Sequence, residues 1–331
     1  MTLLKLAARK PFNFLSVVNS HGWRQLAPFH FDEASSTLFY VDHLKSNRAV
    51  EYRITASSDG IQIETGKLTK AEQNEATEKI AWMFGLDMDF SDFHAASRAE
   101  PKLARAKTLA LGRVLRSPTL FEDVIKTILT TNTLWAATIN MTRKLVDEFG
   151  SPLIAAGRVA PNGSEGRIET SGRQYEARNL ALSRRAEPVE AEVEGTQHAF
   201  PTPDSIASSN PDFIKEKIRV GYRARAIHDL AVRVTSGKYD LESLKTSSLS
   251  TLELRKELMT IKGVGPYAAA NLLMILGRHD FIPIDSYALM MVSHEWYRGK
   301  PVTARQVEKR FEKWGAYKGL AFWFWDWKYN Q

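Results

Sequence analysis

The chain has 331 residues, 44% of them hydrophobic and 10% aromatic, enough to build a sizeable core as one large domain or a few smaller ones. Its 45 basic and 38 acidic residues leave a net charge of +7, which favours a polyanionic partner, nucleic acid before an anionic membrane. There is no cysteine, which excludes disulfides, zinc–thiolate sites, iron–sulfur clusters and a cysteine nucleophile.

The N-terminal stretch MTLLKLAARKPFNF interrupts its apolar residues with Lys5, Arg9 and Lys10 and lacks the continuous apolar core of a signal peptide. No run approaches the roughly 18 apolar residues of a spanning helix, so a soluble intracellular protein is expected. Residues 11–66 read as strand-rich: STLFYVDHL, AVEYRITAS and GIQIETG alternate, carry β-branched and aromatic residues, and are separated by turn residues. From about residue 70 the pattern becomes helical. In 117–150, Ser117 can cap a helix with Pro118 in its first turn. Phe121, Val124, Ile125, Ile128 and Leu129 then follow helical spacing. The polar TTNT at 130–133 interrupts, and a second helix is expected from Leu134 to about Phe149, ended by Gly150. Residues 160–198 are polar, charged and without period, and read as a mobile insertion. Capped helices resume in FPTPDSIASSNPDFIKEKI. VGYRARAIHDLAVRVTSG then gives a loop and a helix with Ile227, Leu230, Ala231 and Val234 on one face. The expected class is α+β: a β-rich N-terminal domain, 1–95, followed by a mostly α-helical domain, 96–331.

The segment LMTIKGVGPYAAANLLMILGRHDFIPIDSYALMMV carries the chemistry. LSTLELRKELMTI and PYAAANLLMIL read as two helices joined by Lys262, Gly263, Val264 and Gly265. The glycines allow a tight connection, Pro266 suits the first helical turn, and Ala268, Ala269 and Ala270 let the helices approach. This is a helix-hairpin-helix. Its N–H groups and the positive end of the second helix suit a phosphate oxygen, although a plain antiparallel helical turn would look the same. Asp285 follows twenty residues beyond Gly265. It is placed to cap a helix starting at Ser286. Flanked by Ile282, Ile284, Leu289 and Met290, it is also placed to be a poorly solvated carboxylate for electrostatics or proton transfer.

Gly263-Val264-Gly265-Pro266 with Pro283-Ile284-Asp285 resembles the helix-hairpin-helix DNA glycosylases that carry a Gly/Pro-rich loop and an essential Asp. TILTTNTLWAATINMTRKLVDEFG resembles the helix pair whose connecting loop enters DNA in that family. VGYRARAI resembles a segment of the 8-oxoguanine glycosylases, and HAFPTPDSIA and WGAYKGLAFWFWDW resemble the bacterial 3-methyladenine DNA glycosylase II group. The resemblance covers most of the chain outside 160–198. It implies base excision: a damaged base is flipped from duplex DNA and its N-glycosidic bond is broken, with Asp285 as the catalytic carboxylate. Lyase members of the family hold a lysine where this chain has Tyr267, and a tyrosine forms no Schiff base. A monofunctional glycosylase is therefore expected. Tyr267, Tyr287, Tyr317 and Phe322 are candidates to line the base pocket, and such an aromatic pocket suits cationic alkylated purines such as 3-methyladenine. Deaminated or oxidised bases stay open as substrates, and LAFWFWDW reads equally well as core.

DNA contacts are expected from Lys262, Gly263, Val264, Gly265 and Asn132, the last filling the gap left by the flipped nucleotide or capping a helix. Arg223 and Arg225, beside Tyr222, are candidates for backbone contacts or structural ion pairs. No cofactor is required and no iron–sulfur cluster is expected. By resemblance the carbonyls of Met259, Ile261 and Val264 are candidates to hold a structural Na+ or K+. The expected partner is damaged double-stranded DNA, with no membrane, a monomer sufficing, and a cytoplasmic, nucleoid-associated location. The competing reading is a non-catalytic lesion-binding module, for which the hairpin and positive charge suffice and Asp285 is superfluous. An RNA-directed or membrane-surface protein has net charge alone behind it.

Overall fold

The structure, a computed structural model, describes residues 1–153, 197–325 and Trp327. Five antiparallel strands form one sheet in the order β1-β5-β4-β3-β2: β1 Thr2–Ala7, β2 Phe29–Asp32, β3 Thr37–His43, β4 Ala49–Ala56 and β5 Gly60–Thr65. The first strand lies ahead of the stretch expected to be strand-rich. In TLLKLA exposure alternates residue by residue, with Leu3 55% exposed. That is the period of an edge strand with one covered face. A short helix, α1 Phe14–Val18, capped by Asn13, also breaks the expected run of strands.

Helices follow from α2 Lys70–Phe84, whose Thr69 and Glu72 form a capping box and whose chain turns out through Gly85 at φ 54°. α3 is Ser91–Ser97, α4 Leu120–Thr130 and α5 Trp135–Phe149, the last leading into Gly150 as expected. The start of α4 departs from the expectation. Thr119 is the cap, because Ser117 is held elsewhere: its N–H donates to Asp123 and its carbonyl accepts from Trp82. Most of the expected insertion at 160–198 lies outside the described residues. At its end, His198 pairs with Pro152 in an antiparallel bridge. Then come α6 Pro203–Ala207, α7 Pro211–Ile218, α8 Arg223–Thr235, α9 Thr251–Leu258, α10 Pro266–Ile275, α11 Ser286–Tyr297, α12 Ala304–Phe311 and α13 Lys318–Trp323.

Two buried hydrophobic clusters organise the molecule. One joins the sheet to α2, α4, α5 and α6 to α10, through Tyr40, Tyr52 and Ile54 on the strands and Val124, Ile125 and Ile128 on α4. The other joins residues 90–114 to 274–325 and is rich in aromatics, with Phe93, Phe311, Trp314 and Trp325 at its centre. A division at residue 95 remains a proposal about chain organisation, since the first cluster runs across it. The consequence for function is that the sheet domain's α1–β2 connection, α4, α10 and the C-terminal aromatic stretch all meet at one place. Among the described residues no helix is long and apolar enough to cross a membrane.

Candidate active site

The hairpin forms as its residues dictate. Gly263 takes φ 88°, and a Cβ there would stand 3.2 Å from Ala226 Cβ on α8 with Ile128 of α4 just beyond. It is a close-approach glycine. Gly265 has open space around it and leaves its backbone accessible. Val264 is the buried foot of the turn, and its N–H donates to the Ile261 carbonyl at 3.0 Å. Pro266 opens α10. This turn and the 130–133 loop face each other across a groove of about 880 Å³, lined by Thr130 to Thr133, Tyr222, Met259, residues 261–268 and Ile284 to Ser286. Asp285 lies in its wall.

Asp285 is the N-cap of α11: its Oδ1 accepts from Ala288 N–H at 2.9 Å. One carboxylate oxygen is thereby fixed. Of its expected apolar neighbours Ile282 is buried, but Met290 is 51% exposed, so Asp285 is half-buried and not sealed in an apolar shell. Tyr267, on the first turn of α10, is half-buried beside it. Burial, and then the negative charge of Asp285, push the Tyr267 phenol up, so it stays protonated.

Two cavities meet at this pair. The first, of about 270 Å³, is lined by His21, Trp23, Trp135 and several threonines, and the second, of about 280 Å³, by Tyr287, Met291, Phe322 and Trp327. Tyr267, Asn271, Asp285 and Trp323 belong to both. Of the candidate aromatics, Tyr267, Tyr287 and Phe322 thus converge. Tyr317 does not. The chain kinks at Gly315 (φ 53°, ψ −120°), and Tyr317 packs against Phe93 at 6.1 Å between ring centroids, with Asp92 raising its phenol further after burial. It belongs to the second core cluster.

The groove residues divide similarly. Asn132 is exposed at φ 47°, and its Nδ2 donates to the Tyr222 hydroxyl at 3.3 Å. Arg223 is 7% exposed and donates to the carbonyls of Thr131 and Asn132. Its Nη2 holds the 130–133 loop and its Nη1 donates to the Val220 carbonyl, so the buried guanidinium serves the fold and does not face a phosphate. Arg225 is exposed. Lys262 is exposed and paired with Asp229 at 3.0 Å.

Sequence reasoning missed the first cavity's main walls. Trp23 comes from the loop after α1, and its Nε1 donates to Asp123 Oδ1 at 2.7 Å. Asp123 is wholly buried, and burial raises its carboxyl to about 6. Trp135 packs edge-on over Gly22, where a Cβ would lie 2.1 Å from the ring, and its Nε1 donates to Gln25 at 2.5 Å. Gly22→Ala is expected to swing that ring outward, seen as a red shift in tryptophan emission with little change in Tm. Trp323 donates to the Ser20 carbonyl at 2.9 Å. The signal that could have pointed here is the Glu122-Asp123 pair on a helix whose apolar residues face the core, which demands buried partners.

His21 is neutral in this wall. Its Nδ1 accepts from Trp23 N–H at 3.3 Å and its Nε2 faces the Leu115 carbonyl at 2.7 Å. Burial lowers it to about 4, with the Leu115 carbonyl opposing and the Lys126 charge adding. Burial, with help from Arg116, lowers His279 to about 3. Both folded values lie below the ordinary 6.5. Their stabilisation is therefore complete above about pH 6.5 and is lost as pH falls toward 4 and 3, about 3 kcal/mol for His21 and about 5 kcal/mol for His279. Asp123 acts oppositely: its raised carboxyl costs stability as pH rises from about 4 to 6. The histidines dominate, so urea midpoints should drop between pH 6.5 and 4.5, less in His279→Leu and more in Asp123→Asn.

Residues 125–316 match the HhH-GPD superfamily of base excision DNA repair proteins. An N-glycosylase/DNA lyase of Saccharomyces cerevisiae is 22% identical over 157 residues, 38% of this chain and 42% of that protein, so the match spans less than half the length of that relative. Among solved structures, MBOgg1 in complex with a low-affinity DNA ligand superposes with a TM-score of 0.66 at 22% identity, over 98% of this chain and 93% of that one. The 3-methyladenine DNA glycosylase of Archaeoglobus fulgidus does so with a TM-score of 0.66 at 19% identity, over 98% and 97%. At these identities the likeness is one of fold. The family match, which covers more than half of the chain and contains both the hairpin and Asp285, is decisive: the chain belongs to the HhH-GPD superfamily of base excision DNA repair proteins.

Proposed function

We propose that the protein is a monofunctional DNA glycosylase that releases alkylated purines such as 3-methyladenine from duplex DNA. The observation that carries this reading is Tyr267 beside Asp285 at the junction of two aromatic-walled cavities opening on the hairpin groove. The hairpin N–H groups and the start of α10 position a phosphate oxygen. Asn132 at the tip of the 130–133 loop takes the space of the nucleotide that has left the stack. Met259, Ile261 and Val264 line the groove, and their carbonyls are the proposed ligands of a structural monovalent cation. As the base departs with the electrons of the C–N bond, positive charge grows on the sugar. Asp285 stabilises that charge, orients the water whose oxygen forms the new bond to C1′, and takes the proton that this water loses. Tyr267 stays a protonated phenol and makes no covalent bond to the sugar. The indoles of Trp23, Trp135 and Trp323 offer electron-rich faces to a cationic base.

Free-base release from duplexes carrying 3-methyladenine, 7-methylguanine, ethenoadenine, hypoxanthine, uracil or 8-oxoguanine tests this. The methylated purines should be released fastest. Fastest release of uracil or 8-oxoguanine would contradict the substrate assignment.

A further inference from the structure

Two polar side chains at the first cavity are left with unused hydrogen-bonding capacity. Thr127 on α4 is 1% exposed and lines the cavity, and its buried hydroxyl has no hydrogen-bond partner among the described residues. A buried hydroxyl without a partner is destabilising, and folds keep few of them without cause. Neighbouring threonines show the contrast: Thr130 Oγ1 donates to the Thr127 carbonyl at 2.7 Å, and Thr138 Oγ1 to the Leu129 carbonyl at 3.3 Å. Threonine in a helix is comfortable in two χ1 wells, so the Thr127 hydroxyl turns to the cavity without backbone movement. Asn271 on α10 is the second group. Its Nδ2 donates to the Tyr267 carbonyl one turn back at 3.1 Å. The same side chain also hydrogen-bonds the Tyr267 phenol; these contacts orient the carboxamide through its amide donors and leave Oδ1 as the acceptor of a residue that lines both cavities.

We infer that Thr127 and Asn271 form a base-reading pair, selecting a purine edge that presents an amino group beside a ring nitrogen. Asn271 Oδ1 accepts the amino N–H, and the Thr127 hydroxyl donates to the ring nitrogen. A carbonyl in place of the amino group, as in hypoxanthine, meets Asn271 acceptor to acceptor. The pair rests on the reading of this site as a base pocket and narrows its substrates to purines with an amino group beside an acceptor ring nitrogen, over those without one, such as hypoxanthine.

The test is single-turnover release of 3-methyladenine, hypoxanthine and 8-oxoguanine by wild type, Thr127→Val and Asn271→Leu, with Tm measured for each. Val is isosteric with Thr, so folding is preserved. Each variant should lose about 3- to 12-fold on 3-methyladenine, the loss of one hydrogen bond, and stay within about twofold on hypoxanthine. A Thr127→Val variant with higher Tm and undiminished 3-methyladenine release would overturn the pair, as would an equal loss on both bases or a wild-type preference for hypoxanthine. Release of 8-oxoguanine without 3-methyladenine would instead overturn the alkylated-purine reading. The variants then judge the pair on the 2-amino group and adjacent N3 of that base: loss in both supports it, equality overturns it.

Discussion

Asp285→Asn should release base roughly 10²- to 10⁴-fold more slowly than wild type, the range for a positioned acid–base group, while folding as well as wild type. The two halves of this result come from two jobs of one side chain. As an N-cap, Asp285 Oδ1 accepts from Ala288 N–H. An asparagine oxygen caps about as well as an aspartate oxygen, and alanine costs about 1 kcal/mol. As a charge beside the developing cation, the carboxylate has no substitute in the neutral amide. A thermal melt and a single-turnover assay on the same preparation separate the roles. Asp285→Asn with more than a tenth of wild-type activity would mean that the cap is the whole of its contribution.

Lys126→Met should destabilise the protein by about 3–5 kcal/mol, because it strands a buried carboxylate. The Lys126 ammonium is 2.6 Å from Glu122, and the two side chains are 0% and 2% exposed. It also lies 4.5 Å over the Phe29 ring and 3.4 Å from Ser117 Oγ. Burial lowers the Lys126 pKa, with Glu122 opposing. Tyr40 donates to the other Glu122 oxygen at 2.7 Å. Glu122→Gln with Lys126→Met removes both charges and keeps an acceptor for Tyr40, so the double variant should recover about 2 kcal/mol of the single variant's loss. Urea unfolding of the wild type, both single variants and the double closes the cycle. Additive losses would show that the pair is not coupled. Since α4 carries Asp123, and Asp123 holds Trp23 in the cavity wall, the same cluster that sustains the core also shapes the pocket.

What could be read in the sequence was what local chemistry determines. Gly263, Gly265 and Pro266 punctuate the chain, so the hairpin was legible, and Asp285 followed as the cap of the next helix. The α4–α5 pair was legible from its apolar spacing, with an error of two residues at its start because Ser117 is engaged by Asp123 across the helix turn. The first cavity was not legible. His21 and Trp23 sit at the start of a single 3-10 turn, Gly22–Gln25, too short to show a period, and tertiary packing brings them to Asp285. Tyr317 was misplaced for the converse reason: it is near in sequence to Phe322, but the kink at Gly315 sends it to Phe93. For Arg223 sequence left phosphate contact and a structural role open, because it shows charge and not burial; the carbonyls of Thr131, Asn132 and Val220 decide for the structural role.

The most direct test of the central claim is strand cleavage scored before and after alkali, on a duplex carrying the base that wild type releases fastest. With Tyr267 where a lyase holds lysine, the strand should stay intact until alkali is added and then show one nick at the lesion. A nick without alkali, trapped as a covalent protein–DNA adduct by borohydride, would contradict it.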